Sequence, residues 1–161
     1  MKIHDKMREA LEEKVQNFTG AESVYVSNGV FHCLMGVNYC GEVEELTIPW
    51  YEAMGNIFLN WFKEPEVYAP NYIVETTYSN VFNTLTKEES VTALRAYGRL
   101  CTESKWLSDV DNYTNSALVR MHSAAEQHAL DYLKSLSSKY HFDYDLFIDI
   151  IDEEFMLVFE K

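Results

Sequence analysis

Ile3, Met7, Leu11, Val15 and Phe18 open the chain on one side of a 3.6-residue period, and Gly20 stands where such a helix stops. The period then shortens to two. "ESVYVSNGVFHCLMGVNY" holds two runs of β-branched and aromatic residues around Ser27-Asn28-Gly29. Asn-Gly between apolar runs predicts a β-hairpin, because both residues accept the positive φ of a tight turn. Val43 to Ile48 returns as a third strand after the turn near Gly41.

Pro49 suits the first turn of a helix, where its missing N–H costs nothing. Trp50, Met54, Ile57 and Trp61 form the stripe of that helix, with Tyr51, Phe58 and Phe62 at its flanks. "EPEVYAP" breaks it and reads as a loop, after which Val74, Tyr78, Val81, Phe82 and Leu85 recur at helical spacing. Thr86-Lys87-Glu88-Glu89 is a capping box for a helix running to about Leu107. From about Thr114 to Ser137, Leu118, Met121, His122, Ala125, Ala129, Tyr132, Leu133 and Leu136 share one face. These elements predict an α+β fold in a single globular domain over residues 1–161: five to six helices with a small N-terminal antiparallel hairpin or three-stranded meander.

The closing segment, "HFDYDLFIDIIDEEFMLVFE", mixes seven carboxylates with many large apolar side chains and carries no lysine or arginine. A helical wheel separates the two chemistries. Leu146, Phe147, Ile148, Ile150, Ile151, Phe155, Leu157, Val158 and Phe159 occupy one arc. Asp145, Asp149, Asp152, Glu153 and Glu160 occupy the rest, Asp143 precedes the helix as its cap, and Glu154 alone falls inside the apolar arc. Helix is expected over Tyr144 to Glu154; beyond it, "FMLVFE" suits helix and strand equally.

Charge sharpens this picture. Twenty-six acids face thirteen bases, for a net charge of −13 over 161 residues. Between residues 41 and 79, Glu42, Glu44, Glu45, Glu52, Glu64, Glu66 and Glu75 meet only Lys63. Such a surface repels phosphate backbones and anionic lipid and attracts basic proteins, so no direct nucleic-acid binding is expected. No apolar run reaches the roughly 18 residues of a membrane helix. Cys33, Cys40 and Cys101 form an odd set without CxxC spacing, which fits reduced thiols in the cytoplasm.

Specific chemistry is sparse. Asp109-Val110-Asp111 starts like an EF-hand loop, but Thr114 and Arg120 stand where glycine and a bidentate glutamate are required. The six glycines make no phosphate-binding or nucleophile-elbow motif. His32 and Cys33 are strand neighbours and point to opposite faces. His122 and Glu126, at i and i+4, have metal-ligand spacing but no third ligand nearby, and His128 points elsewhere, so no metal or other cofactor is expected. Arg95 and Arg99 have Glu88, Glu89 and Glu103 within reach as ion-pair partners.

Three readings follow. The first is a non-enzymatic acidic interaction or inhibitor protein that binds a basic protein partner, such as a nucleic-acid-handling factor or a toxin. It would use Asp145, Asp149, Asp152 and Glu153 together with Glu42, Glu44 and Glu45, while a structural or assembly subunit that self-associates through its aromatic surface is a separate reading. In size, charge and aromatic content the chain is similar to the short acidic proteins with which large phages and mobile elements engage host machinery, and to immunity proteins that neutralise basic toxins. That resemblance implies carboxylates standing in for phosphates. The alternative is a small helical enzyme or metal-binding protein centred on His122 and Glu126.

Overall fold

A computed structural model describes residues 3–63, 79–109 and 113–160. The expected loop at 64–70, Val74, Tyr78 and the Asp111 position lie outside those residues. The architecture is the expected α+β: six helices among the described residues and one three-stranded antiparallel sheet.

Helix α1 (Ile3–Thr19) buries Ile3, Met7, Leu11 and Val15 completely, while Phe18, the last residue of the apolar stripe, is 65% exposed. The helix ends at Gly20, at φ +72°. Strands β1 (Ser23–Ser27) and β2 (Val30–Val37) are joined by Asn28 and Gly29 at φ 51° and 78°, both left-handed as a two-residue hairpin requires. Helix α1 covers the outer edge of β1. The Val26 N–H donates to Glu12 Oε2 at 2.9 Å, and Gln16 Nε2 donates to the Glu22 carbonyl at 3.0 Å. Strand β3 (Val43–Pro49) pairs on the other side of β2, giving the order β1-β2-β3 with an irregularity between Leu34 and Gly36.

Helix α2 (Trp50–Asn56) is shorter than the stripe through Trp61 suggests. The N–H groups of Ile57 and Phe58 both turn to the Ala53 carbonyl, at 2.8 and 3.0 Å, which closes the ladder. A separate 3₁₀ turn at Trp61–Lys63 still delivers Trp61 and Phe62 to the core. After the short helix α3 (Ser79–Thr84), helix α4 (Lys87–Leu107) starts with the full capping box: Glu89 N–H to Thr86 Oγ1 at 3.1 Å and Thr86 N–H to Glu89 Oε1 at 3.0 Å. Helix α5 (Ser116–Lys139) is capped by Asn115 rather than Thr114 and packs on α4. His122, Ala129, Leu133 and Leu136 are buried on α5, whereas Leu118 and Met121 near its start stand in solvent, beyond the core.

One buried cluster joins α1, the sheet, α2, α4, α5 and the C-terminal segment, with Phe31, Phe58, Phe147, Phe155 and Phe159 fully enclosed. Each ring removes roughly 150–250 Å² from water, so these five residues contribute heavily to the apolar burial. Phe31 meets Phe58 and Phe159 edge-on, and Phe155 meets Phe159 likewise.

Candidate functional site

Helix α6 (Tyr144–Met156) carries the acidic segment. Asp143 caps it, accepting from the Leu146 N–H at 3.0 Å. Phe147, Ile150, Ile151 and Phe155 point into the core against α4 and α5. Asp145, Asp149 and Glu153 are exposed on the other side. Their i, i+4, i+8 spacing sets successive carboxylates about 6 Å apart along the axis. Among the described residues no lysine or arginine pairs with any of the three.

Asp152 behaves differently. It is half-buried, and its carboxylate accepts a short hydrogen bond from the Tyr97 hydroxyl of α4. Burial first, then the neighbouring Cys101 and Asp152, push the Tyr97 hydroxyl far above its ordinary value, so it stays a donor. Burial likewise pushes the Cys101 thiol up to about 12. Three carboxylates therefore face solvent on the ridge, and the fourth ties α6 to α4. Leu146, placed by the wheel in the apolar arc, is 59% exposed beside them.

The tail after Met156 is neither helix nor strand. Val158 and Phe159 N–H groups bond back to the carbonyls of Phe155 and Met156 at 3.0 Å each, winding the chain into turns. Two partners invisible to local periodicity hold it. Arg8 of α1 donates to the carbonyls of Val158 and Leu157 at 2.7 Å each and of Glu160 at 3.1 Å, with Asp5 at 2.8 Å on its remaining side. The guanidinium thus satisfies carbonyls at the negative end of α6, where a cation is most favourable. The Phe159 carbonyl accepts from the Gly29 N–H at 3.0 Å, and its ring stacks on Trp50 at 5.3 Å.

Glu154, the acid inside the apolar arc, is buried with its Oε2 3.0 Å from Nε2 of buried His4. His4 lies on the Met7–Leu11–Val15 side of α1, so the signal was present in the spacing.

The second acidic group lies on a different element. Glu42, Glu44 and Glu45 are exposed along or beside β3, which packs on β2 and α2 rather than sharing the surroundings of α6. Glu45 Oε1 meets His32 Nδ1 at 2.5 Å, and the His32 ring stacks on Tyr25 at 4.8 Å. Glu42 and Glu44 have no cationic partner among the described residues.

His122 and Glu126 are not brought together as a site. His122 Nδ1 lies 2.5 Å from Glu103 Oε2 in the interior, its ring stacked on Trp106 at 3.7 Å. Glu126 accepts from Ser104 Oγ at 2.6 Å. Among the described residues no three His, Cys, Asp or Glu side chains converge to hold a metal ion. Cys33 is buried and desolvation raises its thiol, the reverse of nucleophile activation.

Two of the three acids foreseen as partners of the α4 arginines meet other groups. Glu89 binds Lys139 at 2.8 Å and Tyr140, and Glu103 binds His122. Arg95 donates to the Trp61 carbonyl at 3.1 Å and lies over the Trp61 ring. A cleft of about 500 Å³ beside Asn28, Trp50 and Glu160 gathers no nucleophile with a base.

Among the described residues no helix is long and apolar enough to cross a membrane. Comparison with family models, with characterised proteins and with solved structures finds no match to this chain.

Proposed function

We propose that this chain is a non-enzymatic binding or inhibitor protein whose acidic face engages a basic protein, acting in the reducing environment of the cytoplasm. The observation that supports this most is the row Asp145, Asp149 and Glu153 on α6, exposed and unneutralised among the described residues while the opposite side of the helix is locked into the core. A rigid element holds the carboxylates in register before any partner arrives, so little side-chain and backbone ordering remains to oppose association.

Carboxylates about 6 Å apart on a helix attract the lysines and arginines that elsewhere grip phosphates. A basic nucleic-acid-handling factor or a basic toxin is the partner class that matches, in the manner of phage host-takeover or immunity proteins. The chain's net charge of −13 steers such a partner from a distance, an effect that fades above physiological salt. Asp152 contributes by fixing the helix and Glu42, Glu44 and Glu45 by extending the field.

The test is capture from a lysate of the source cells on immobilised protein, at low and high salt. A stoichiometric basic partner, lost at high salt and lost with D145N/D149N/E153Q, is the expected result. Capture that ignores both salt and the triple variant would refute the reading.

A further inference from the structure

The two edges of the sheet are treated differently. Strand β1 is covered by α1, whose Glu12 takes the Val26 N–H at 2.9 Å. Strand β3 has a neighbour on one side only among the described residues, and it is exposed from Val43 to Thr47.

The hydrogen-bond phase of β3 follows from the register. Val26 faces Phe31 across the hairpin, and its N–H points off the sheet to Glu12, so the Phe31 groups face β3. Backbone direction alternates along a strand. The bonded positions of β3 are then Ile48 and Leu46, and the Trp50 N–H to Gly29 carbonyl bond at 2.9 Å continues the same phase. Thr47, Glu45 and Val43 therefore turn their N–H and C=O groups to the open side. Pro49 shares that phase and has no N–H to lose, as suits an edge position.

The side chains on this edge select the occupant. Leu46 and Val43 are 43% and 64% exposed, and Glu44 and Glu45 project to opposite faces between them. An edge so charged resists pairing with its own copy, because glutamates would meet glutamates. A segment alternating lysine or arginine with apolar residues meets no such penalty and offers counter-charges as well as backbone partners.

We propose that β3 is a docking strand, to which an extended basic segment of a partner protein adds as a fourth strand, bonded to Val43, Glu45 and Thr47. The basic character of the partner rests on the functional reading above; the strand-addition mode is independent of the α6 ridge. Main-chain bonds supply affinity in this mode, and alternate side chains supply selectivity.

The probe is a capped synthetic peptide of about nine residues alternating lysine and valine, titrated into the full-length protein and followed by amide hydrogen exchange and chemical shifts. Protection of the Glu45 and Thr47 amides is expected, with binding weakened about tenfold by Thr47→Pro, which removes one outward donor and no ladder bond. N-methylation of alternate peptide amides removes the complementary bonds, those the peptide donates to the β3 carbonyls, without altering the protein, and is expected to abolish binding even if Thr47→Pro folds poorly. A glutamate–valine peptide is expected not to bind, and D145N/D149N/E153Q is expected to bind the lysine peptide as the wild type does. Overturning results are no protection along β3, equal binding of the N-methylated peptide, or sedimentation showing that a second copy pairs on β3. If the peptide fails while salt-sensitive capture through α6 persists, the strand addition falls and the acidic-ridge reading stands.

Discussion

Arg8 donates its Nε hydrogen to the Val158 carbonyl at 2.7 Å, fastening the first helix to the end of the last across 150 positions of sequence. A second nitrogen reaches Leu157 and Glu160. Carbonyls at a helix end that lose such a donor in a partly dry setting are left unsatisfied. Arg8→Ala is expected to cost about 2–4 kcal/mol in denaturant unfolding. Arg8→Lys is expected to recover only part of that, because an ammonium lacks the planar fork.

Gly98 supports the packing of α4 in an unexpected way. A Cβ there would stand 2.4 Å from Phe62 Cε1, and Phe62 is a buried ring with little room to move. Helix propensity alone makes Gly98→Ala favourable by about 1 kcal/mol. The account predicts the opposite sign, a net loss of about 2 kcal/mol by urea unfolding, since overpacking costs about 1–3 kcal/mol. In a Phe62→Leu background the alanine is expected to regain its ordinary advantage.

Much of this architecture was legible in the chain because it depends on neighbours in sequence. The Asn28-Gly29 turn, the Thr86–Glu89 box and the Asp143 cap each need residues only a few positions apart, and each forms as expected. The early end of α2 was not legible: Ile57, Phe58, Trp61 and Phe62 are all apolar, so spacing does not show where helix gives way to a 3₁₀ turn. The acidic outer side of α6 was readable from its wheel, but the tie of Asp152 to Tyr97 depends on how α4 lies against it. The exposure of Leu146, Met121 and Phe18 likewise reflects where the core stops, which no single helix encodes.

Glu89 joins the start of α4 to the end of α5. Hydrogen bonds from Lys139, from Tyr140 and from the Thr86 backbone lower its carboxyl from the ordinary 4.5 to about 2. A carboxylate depressed in the folded state stabilises fully above its unfolded value and loses that contribution as pH falls through the folded one. The Glu89 contribution is therefore expected to be complete above about pH 4.5 and to drain toward about pH 2. Glu89→Gln removes the dependence: the stability difference from wild type, followed by acid titration of unfolding, is expected to shrink across that window.

The three thiols separate by environment. Cys40 is exposed, Cys33 is buried, and Cys101 is partly buried, with desolvation pushing its thiol up to about 12. Thiolate is the reacting species, so at mildly alkaline pH a disulfide reagent is expected to titrate Cys40 alone in the folded protein. Cys33 and Cys101 are expected to react only after unfolding. Rapid reaction of Cys101 in native conditions would contradict the raised thiol of the partly buried Tyr97–Cys101–Asp152 cluster.

The proposed function rests on recruitment of a basic protein by the three carboxylates on the outside of α6. Calorimetric titration of the purified partner against wild type and D145N/D149N/E153Q, repeated across salt concentrations, tests it most directly. An affinity loss of about tenfold or more and a flatter salt dependence are expected in the variant, with thermal stability within about 0.5 kcal/mol of wild type. Equal affinity and equal salt dependence for the two proteins would contradict it.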